Sequence, residues 1–170
     1  PDVTGSVDLD GGSQPGGGPV RIISAPGKAY PGLVLQGRGS TLRNLVVGGF
    51  GSDGVVLGGT GGHTVLGSFI GTDPGGCGGS VGAAGALGNA GAGVRVTSAG
   101  NRVGSDERPA RTPEAAVGKS VPTERNHIAN NRGAGIAITA GDGNQAAGNF
   151  IAVNGGLGID LGDNGVTAND

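Results

Sequence analysis

The sequence predicts an all-β protein, a right-handed parallel β-helix of about five to six coils of roughly 22 residues each. Three observations predict it: a short phrase that recurs five times, a regular spacing between its copies, and glycines at fixed positions around it. A stacked repeat buries a continuous core only when neighbouring coils cover one another. Residues 1–170 are therefore predicted to form one domain.

The recurring phrase is a glycine, an apolar residue, any residue and a second apolar residue. Its copies lie at 32–35, 54–57, 93–96, 135–138 and 158–161. In a strand, the two apolar positions share one face and the residue between them lies on the other. We expect two inward apolar columns, formed by Leu33, Leu35, Val55, Leu57, Val94, Val96, Ile136, Ile138, Ile159 and Leu161. The outward positions would be Val34, Val56, Arg95, Ala137 and Asp160.

The spacing of the phrase predicts two loop insertions. Gly32 and Gly54 are 22 residues apart and Gly135 and Gly158 are 23 apart, whereas the two intervals between Gly54 and Gly135 are 39 and 42 residues. Insertions in a stacked repeat are carried as loops on one face. We assign them to residues 72–90 and 105–125. The second holds eight charged residues and three prolines, which fits a solvated loop or a contact arm toward a neighbouring chain.

A second phrase, a polar residue followed by any residue and an apolar one, predicts the next strand and a stacked polar turn before it. Its polar members are Ser40, His63, Asn101, Asn126 and Asn144, and glycine precedes four of the five. Glycine before a short polar side chain suits a tight turn. A third strand is predicted around 44–47, 67–70 and 148–151. His63 and His127 lie at or beside these turns, so we expect ladder partners rather than catalytic bases.

Composition narrows the function classes. The net charge of −2 argues against a nucleic-acid groove, for which a basic stripe is expected. The sequence has no amphipathic helical pattern and no long apolar segment, so no membrane span is predicted. The chain begins at Pro1 without Met, from which we expect a processed product or an excised piece.

The runs 69–73, 88–94 and 155–170 resemble the repeats of large secreted bacterial surface proteins. These share the right-handed β-helix with the pectate lyase group. The resemblance covers about residues 32–170. It implies the fold and an extracellular or cell-surface location, but it supplies no reaction, because one fold hosts many functions.

The acidic segment near the C-terminal end is the candidate metal site. Asp160, Asp163 and Asp170 offer hard oxygen ligands of the kind that Ca²⁺ prefers. The alternative, which we favour, is a structural turn, because the match to a Ca²⁺-binding repeat occurs only once. No other cofactor is expected. Asp8 and Asp10 are expected to alternate outward in a strand.

Polysaccharide cleavage is the enzymatic alternative. Glycosidases need two carboxylates flanking the bond, but the outward positions of the first strand are half apolar. Aromatic platforms for sugars are scarce, since the chain has one Tyr, three Phe and no Trp. An enzyme is therefore the less favoured reading, and a polysaccharide-acting or sugar-binding module stays the alternative.

The coil ends suggest assembly. Unpaired strand edges are templates for further strands, and neither end carries a helical or charged cap. We expect an extracellular structural or adhesive protein that stacks end to end into a filament, sheath or surface layer, with a cell-surface polysaccharide as a further partner. The residues expected to serve assembly are Ile159 in the last coil, an outward stripe of Val46, Phe69 and Phe150, and Cys77, which is otherwise an incidental thiol.

Overall fold

The computed structural model describes residues 2–15, 18–25, 27–75, 87–105 and 124–166. Within these ranges the regular structure consists of sixteen strands and one short 3₁₀ turn, Gly11–Ser13, and there is no α-helix. The strands form three sheets in which neighbouring strands are parallel. The protein is nearly all β, as predicted.

The chain visits the three sheets in a fixed order. The first sheet contains β1 (Asp2–Val3), β4 (Leu33–Leu35), β7 (Val55–Leu57), β10 (Val94–Val96), β13 (Ile136–Ile138) and β16 (Ile159–Leu161). The second contains β2 (Asp8–Asp10), β5 (Thr41–Arg43), β8 (Thr64–Leu66), β11 (Arg102–Val103) and β14 (Gln145–Ala146). The third contains β3 (Val20–Ile23), β6 (Leu45–Gly48), β9 (Phe69–Ile70), β12 (His127–Ala129) and β15 (Phe150–Ala152).

Each set of three consecutive strands, one from each sheet, is called a rung here. Rung 1 is β1 to β3 and rung 5 is β13 to β15, while β16 begins a sixth level in the first sheet alone. Residues that lie opposite one another in successive rungs form a column. This repeat-like stacking of parallel sheets is compatible with the predicted parallel β-solenoid.

One hydrophobic core runs through the stack. It takes alternate residues from the strands, for example Val94 and Val96 but not Arg95 between them. Seven of the ten predicted inward residues are buried: Leu33, Leu35, Val55, Leu57, Val94, Val96 and Ile136. Ile138 is half-buried, and Ile159 and Leu161 are 43% and 58% exposed. The last two differ from the prediction because β16 is an edge strand, with no described strand on its other side.

The outer face of the first sheet is less open than the sequence suggests. Val34, Ala137 and Asp160 are all buried although they face away from the main core. Ala137 packs against Ala92 and Ala134, which belong to the turn segments before β10 and β13. Small residues in these turns therefore cover part of the outer face.

The predicted position of Asn126 in a second-sheet strand is wrong. Residues 126–128 lead into β12 of the third sheet, which pairs with β9 and β15. Rung 4 already has its second-sheet strand, β11, and the second insertion lies between β11 and β12. The insertion separates two strands of the same rung. Rung 4 therefore contains two copies of the polar phrase, one before each of these strands. Asn126 is also the one member of its predicted set that no glycine precedes.

Candidate functional site

Three ladders of buried polar side chains line the turns between the sheets. In the ladder before the second sheet, Ser40 N–H donates to His63 Nδ1 (3.2 Å), and His63 N–H donates to Asn101 Oδ1 (3.0 Å). Asn101 N–H in turn donates to Asn144 Oδ1 (2.9 Å). The predicted stacking of these polar residues is confirmed. Each side chain accepts a backbone N–H from the previous rung that would otherwise be buried without a partner.

His63 is a structural member of that ladder. Its side chain is fully buried, and its Nδ1 accepts the Ser40 N–H. Nε2 lies 3.0 Å from the Gly58 carbonyl oxygen, so this nitrogen carries the proton and donates it. Both ring nitrogens are occupied, which leaves neither for a substrate. The expectation of a ladder partner is confirmed for His63.

A second ladder lies before the third sheet, where none was predicted, and it contains Asn126 from the set predicted for the second sheet. Leu45 N–H donates to Ser68 Oγ (3.3 Å), and Ser68 N–H donates to Asn126 Oδ1 (3.0 Å). The Asn126 amide then donates to Asn149 Oδ1 (2.9 Å). Asn126 is thus a ladder residue, but in this turn.

A third ladder, before the first sheet, was not predicted. Asn89 N–H donates to Asn131 Oδ1 (3.2 Å), and Asn131 N–H donates to Asn154 Oδ1 (3.1 Å). The amide of Asn131 also donates to Asn154 Oδ1 (3.0 Å). Each of these asparagines stands four residues before a phrase glycine, which is the signal that could have revealed them.

An aromatic column lies on the outer face of the third sheet. Phe69, His127 and Phe150 are opposite one another in successive strands. The His127 ring centroid is 5.0 Å from that of Phe69 and 5.4 Å from that of Phe150. Burial, with a smaller effect from the Arg125 charge, lowers the pKa of His127. His127 thus lies directly after the turn residue Asn126, beside the turn as expected, and its ring belongs to an aromatic stack on the strand.

The predicted apolar stripe of Val46, Phe69 and Phe150 exposes less surface than expected. Val46 occupies the same column as Phe69 but has no exposed surface. The chain returning from the first insertion runs beside β6, where Gly49 N–H donates to the Leu87 carbonyl oxygen (2.8 Å). Of the three predicted members, Phe150 is the one with a large exposed area, 37%.

A charged cluster crosses the outer face of the first sheet. Arg95 donates from Nε to Asp53 Oδ2 (2.7 Å) and from Nη1 to Asp163 Oδ2 (2.7 Å). The hydrogen bonds to Asp53, followed by that to Asp163, outweigh desolvation and raise the pKa of Arg95. Asp53 also accepts the Ala92 N–H at 2.7 Å. No sequence pattern reveals this cluster, because Asp53 and Asp163 lie 42 and 68 residues from Arg95.

The predicted metal ligands are therefore engaged in different contacts. Asp163 pairs with Arg95, whereas Asp160 Oδ2 accepts the Gly165 N–H (3.1 Å). Asp160 Oδ1 is buried without a hydrogen-bond partner. Asp170 lies outside the described residues, as does Cys77. In the part of the chain that the structure describes, no three His, Cys, Asp or Glu side chains form a group that could hold a metal ion.

A surface groove of about 360 Å³ lies between the second and third sheets. Its lining includes Arg43, Phe69 and Glu124. Glu124 is the one carboxylate in that lining, whereas glycosidase chemistry requires a pair. The described lining of the groove therefore does not contain the carboxylate pair that the enzymatic alternative requires.

The edge of β16 carries the predicted assembly residue Ile159, which is 43% exposed. In the first sheet, Leu33, Val55 and Ile136 each donate a backbone N–H to the next rung, at 3.0, 3.0 and 2.9 Å. Ile159 is the equivalent residue of β16, so its N–H points away from β13. Its side chain is also exposed. This edge offers the Ile159 backbone donor and apolar surface to an added strand.

Comparison with known proteins assigns no family. No family model matches the sequence, and searches of curated proteins and of solved structures found no match. Within the described ranges, no helix has the length and apolar character needed to cross a membrane.

Proposed function

We propose that this protein is an extracellular structural or adhesive β-solenoid that assembles end to end into a filament, sheath or surface layer. In this proposal the three sheets wind as a right-handed β-helix of about five to six coils, of the secreted bacterial type that the sequence resembles. A cell-surface polysaccharide remains a proposed partner of the assembled form.

The observation that carries the proposal is incomplete burial of the core at both edges of the stack. The core residues of the middle rungs are almost completely buried, whereas those of the edge rungs, apart from Ile136 beneath β16, are only partly covered. The partly buried members are Val3, Leu9, Val20 and Ile22 in rung 1 and Ile138, Ala146 and Ile151 in rung 5. Burying apolar area contributes about 25 cal/mol per Å², so each edge favours a further rung.

The two edges are also compatible with each other. Leu9 and Ala146 belong to one core column, and Ile22 and Ile151 belong to another. A second copy placed on rung 5 would therefore continue each column with an apolar residue. Such a contact joins different surfaces and does not close, so it extends into a filament.

A sugar-acting site receives less support. The rings of Phe69, His127 and Phe150 stack on one another, so the ring faces between them are covered and only the outer face of Phe150, at the end of the column, stays exposed. Sugar platforms use the ring face. The proposal therefore treats the aromatic column as packing within the stack.

The test is the substitution Ile159→Pro. Proline has no N–H, so this change removes the open donor of β16 while the Gly162 N–H keeps its bond to Ile138 O (2.8 Å). We expect the parent chain to form filaments at high concentration and Ile159→Pro to remain monomeric. Static light scattering would measure the mass and negative-stain electron microscopy would show the filaments.

Ile159→Ala is the matched control, because it trims the same side chain but keeps the N–H. It should assemble more than Ile159→Pro and less than the parent. A parent chain that stays monomeric at high concentration, with no filaments, would refute the proposed assembly.

A further inference from the structure

The three sheets do not contain the same number of strands. Among the described residues, the first sheet has six strands and the others have five each. If β2 and β3 of one copy stack on β14 and β15 of another, then β1 of the first copy and β16 of the second compete for the same level in the first sheet. Simple stacking would satisfy the second and third sheets only if one of these two strands moved away.

Resting on the proposed end-to-end assembly, we propose that β16 of one copy displaces β1 of the next copy and pairs with that copy's β4. The partner is thus a second copy of this chain, and the contact is a strand exchange rather than a flat junction between two edges.

The residue pattern of β16 matches that of β1. Asp2 lies opposite Val34, and Asp160 belongs to the same column through Ala137 and Arg95. Val3 and Leu161 likewise both align with Leu35. β16 could therefore replace β1 with an aspartate facing out and an apolar residue facing in, and it would add Ile159 to the core.

The backbone also favours β16 as the partner of β4. β4 and the residues after it hold β1 through N–H donations from Gln36 (2.8 Å) and Gly37 (3.2 Å) to the Val3 carbonyl. At the next position the other strands of the first sheet donate an N–H forward, as Leu33 does to Gly54 O. Ile159 is the residue of β16 at that position, and its N–H points away from β13. β16 thus offers a backbone donor toward a neighbouring β4.

The neighbouring columns continue across the proposed junction. Arg21 shares the column of Val46, Phe69, His127 and Phe150. In the assembly, Arg21 of one copy would lie over the exposed face of Phe150 of another. A guanidinium over an aromatic ring is attractive.

Engineered disulfides test the exchange directly. In a Cys77→Ser background, Asp160→Cys with Val34→Cys places two thiols on adjacent strands only if β16 pairs with a neighbour's β4. Within one chain these positions are four strands apart, about 19 Å at 4.8 Å per strand, so they cannot bridge. Asp160→Cys with Asp2→Cys is the matched pair that reports simple stacking of β16 on β1. Mild oxidation followed by non-reducing electrophoresis would detect the disulfides formed by either pair.

We expect a ladder of covalent multimers from the 160/34 pair and monomer from the 160/2 pair. A ladder from the 160/2 pair alone, or no ladder from either while filaments are visible, would overturn the exchange and leave the proposed assembly standing. A chain that never assembles would overturn both.

Val3→Ser provides a second measurement that requires no cysteine. This substitution weakens the hold of β1 on β4, so under the exchange it should increase the rate of filament growth severalfold, measured by light scattering. Under simple stacking β1 is the docking surface, and the same change should slow growth. Slower growth would therefore overturn the proposal.

Discussion

Val96 and Leu161 occupy the same core column but differ completely in burial. Val96 in rung 4 is 1% exposed, whereas Leu161 in the edge strand β16 is 58% exposed. Both are the second apolar residue of the same sequence phrase. Their difference shows that burial in a stacked repeat depends on the neighbouring rungs and not on the phrase itself.

The largest expected effect is that of Val96→Asp. An unpaired carboxylate in this column would lie between Leu57 and Ile138 with no described charge to compensate it. We expect a loss of about 4 kcal/mol or more, a large part of the 5–15 kcal/mol that holds a typical domain together. Chemical denaturation of dilute, monomeric protein would measure it. Melting like that of the parent would show that the register is wrong.

Leu161→Asp is the matched control in the same column. Because this side chain is mostly exposed, the free energy of unfolding should change by less than about 0.5 kcal/mol. A large loss in dilute protein would mean that β16 is covered, and the contrast between middle and edge would fail.

A smaller contrast is expected in the asparagine ladder. Asn131→Ala would leave the Asn89 N–H and the carbonyls of Ile70 and Ala129 without their partner in a fully buried turn. We expect it to cost about 2–3 kcal/mol. Asn154→Ala, at the edge of the same ladder, should cost about 1 kcal/mol, because water can reach the groups that it frees. Chemical denaturation of both variants would measure these losses. Equal losses of unfolding free energy would mean that water is excluded from the edge rung as fully as from the middle rungs.

The aromatic column predicts a pH effect. The pKa of His127 is lowered from its ordinary value of 6.5, chiefly by burial between its neighbours. The unfolded chain then binds the proton more readily than the folded chain, so stability falls as the pH drops below about 6.5 toward the folded pKa. In His127→Gln this part of the pH dependence should vanish. If the slope of stability against pH between pH 7.5 and 5 were unchanged in His127→Gln, the pH dependence would belong to another group.

A second titration should remain in that variant, at lower pH. Hydrogen bonds from Asn44 and Gly12 lower the pKa of Asp10 from its ordinary value of 3.8. The stability that this carboxylate contributes is present above that value and is lost as the pH falls through the folded pKa. Asp10→Asn should therefore affect the acid end of the profile and leave the histidine window alone.

The smallest effect is expected from Ca²⁺. If the acidic segment around Asp160 bound the ion, adding it would stabilise the folded state by mass action. We expect little or no change in Tm, since Arg95 already neutralises Asp163. A rise of several degrees that disappears in Asp160→Ala would establish a calcium site instead of a structural turn.

The first sheet could be predicted because its signal is local. Each phrase places two apolar residues two positions apart, and a strand converts that spacing into a single buried face. The register Val55, Val94 and Ile136 in successive rungs follows directly from the glycine that precedes each of them. The polar turns before the second sheet could be predicted for the same reason.

Rung 1 and the third ladder could not be predicted from that phrase. β1 has two residues with no glycine before it, and 32 residues separate Asp2 from its partner Val34. Asn131 is surrounded by other turn-forming residues, and only its spacing to Gly135 distinguishes it. The ion pairs of Arg95 depend on contacts between distant rungs, which sequence spacing does not reveal.

Those ion pairs also determine how the stack resists mechanical force. Stacked repeats are held mainly by contacts between nearest neighbours, so pulling on one end would normally peel off one strand at a time. Arg95 on β10 holds Asp163, which follows β16, and thereby bypasses β13. A load applied after β16 is thus shared between β13 and β10. The end of the chain at β16 is therefore held both by strand pairing with β13 and by the ion pair with Arg95 on β10.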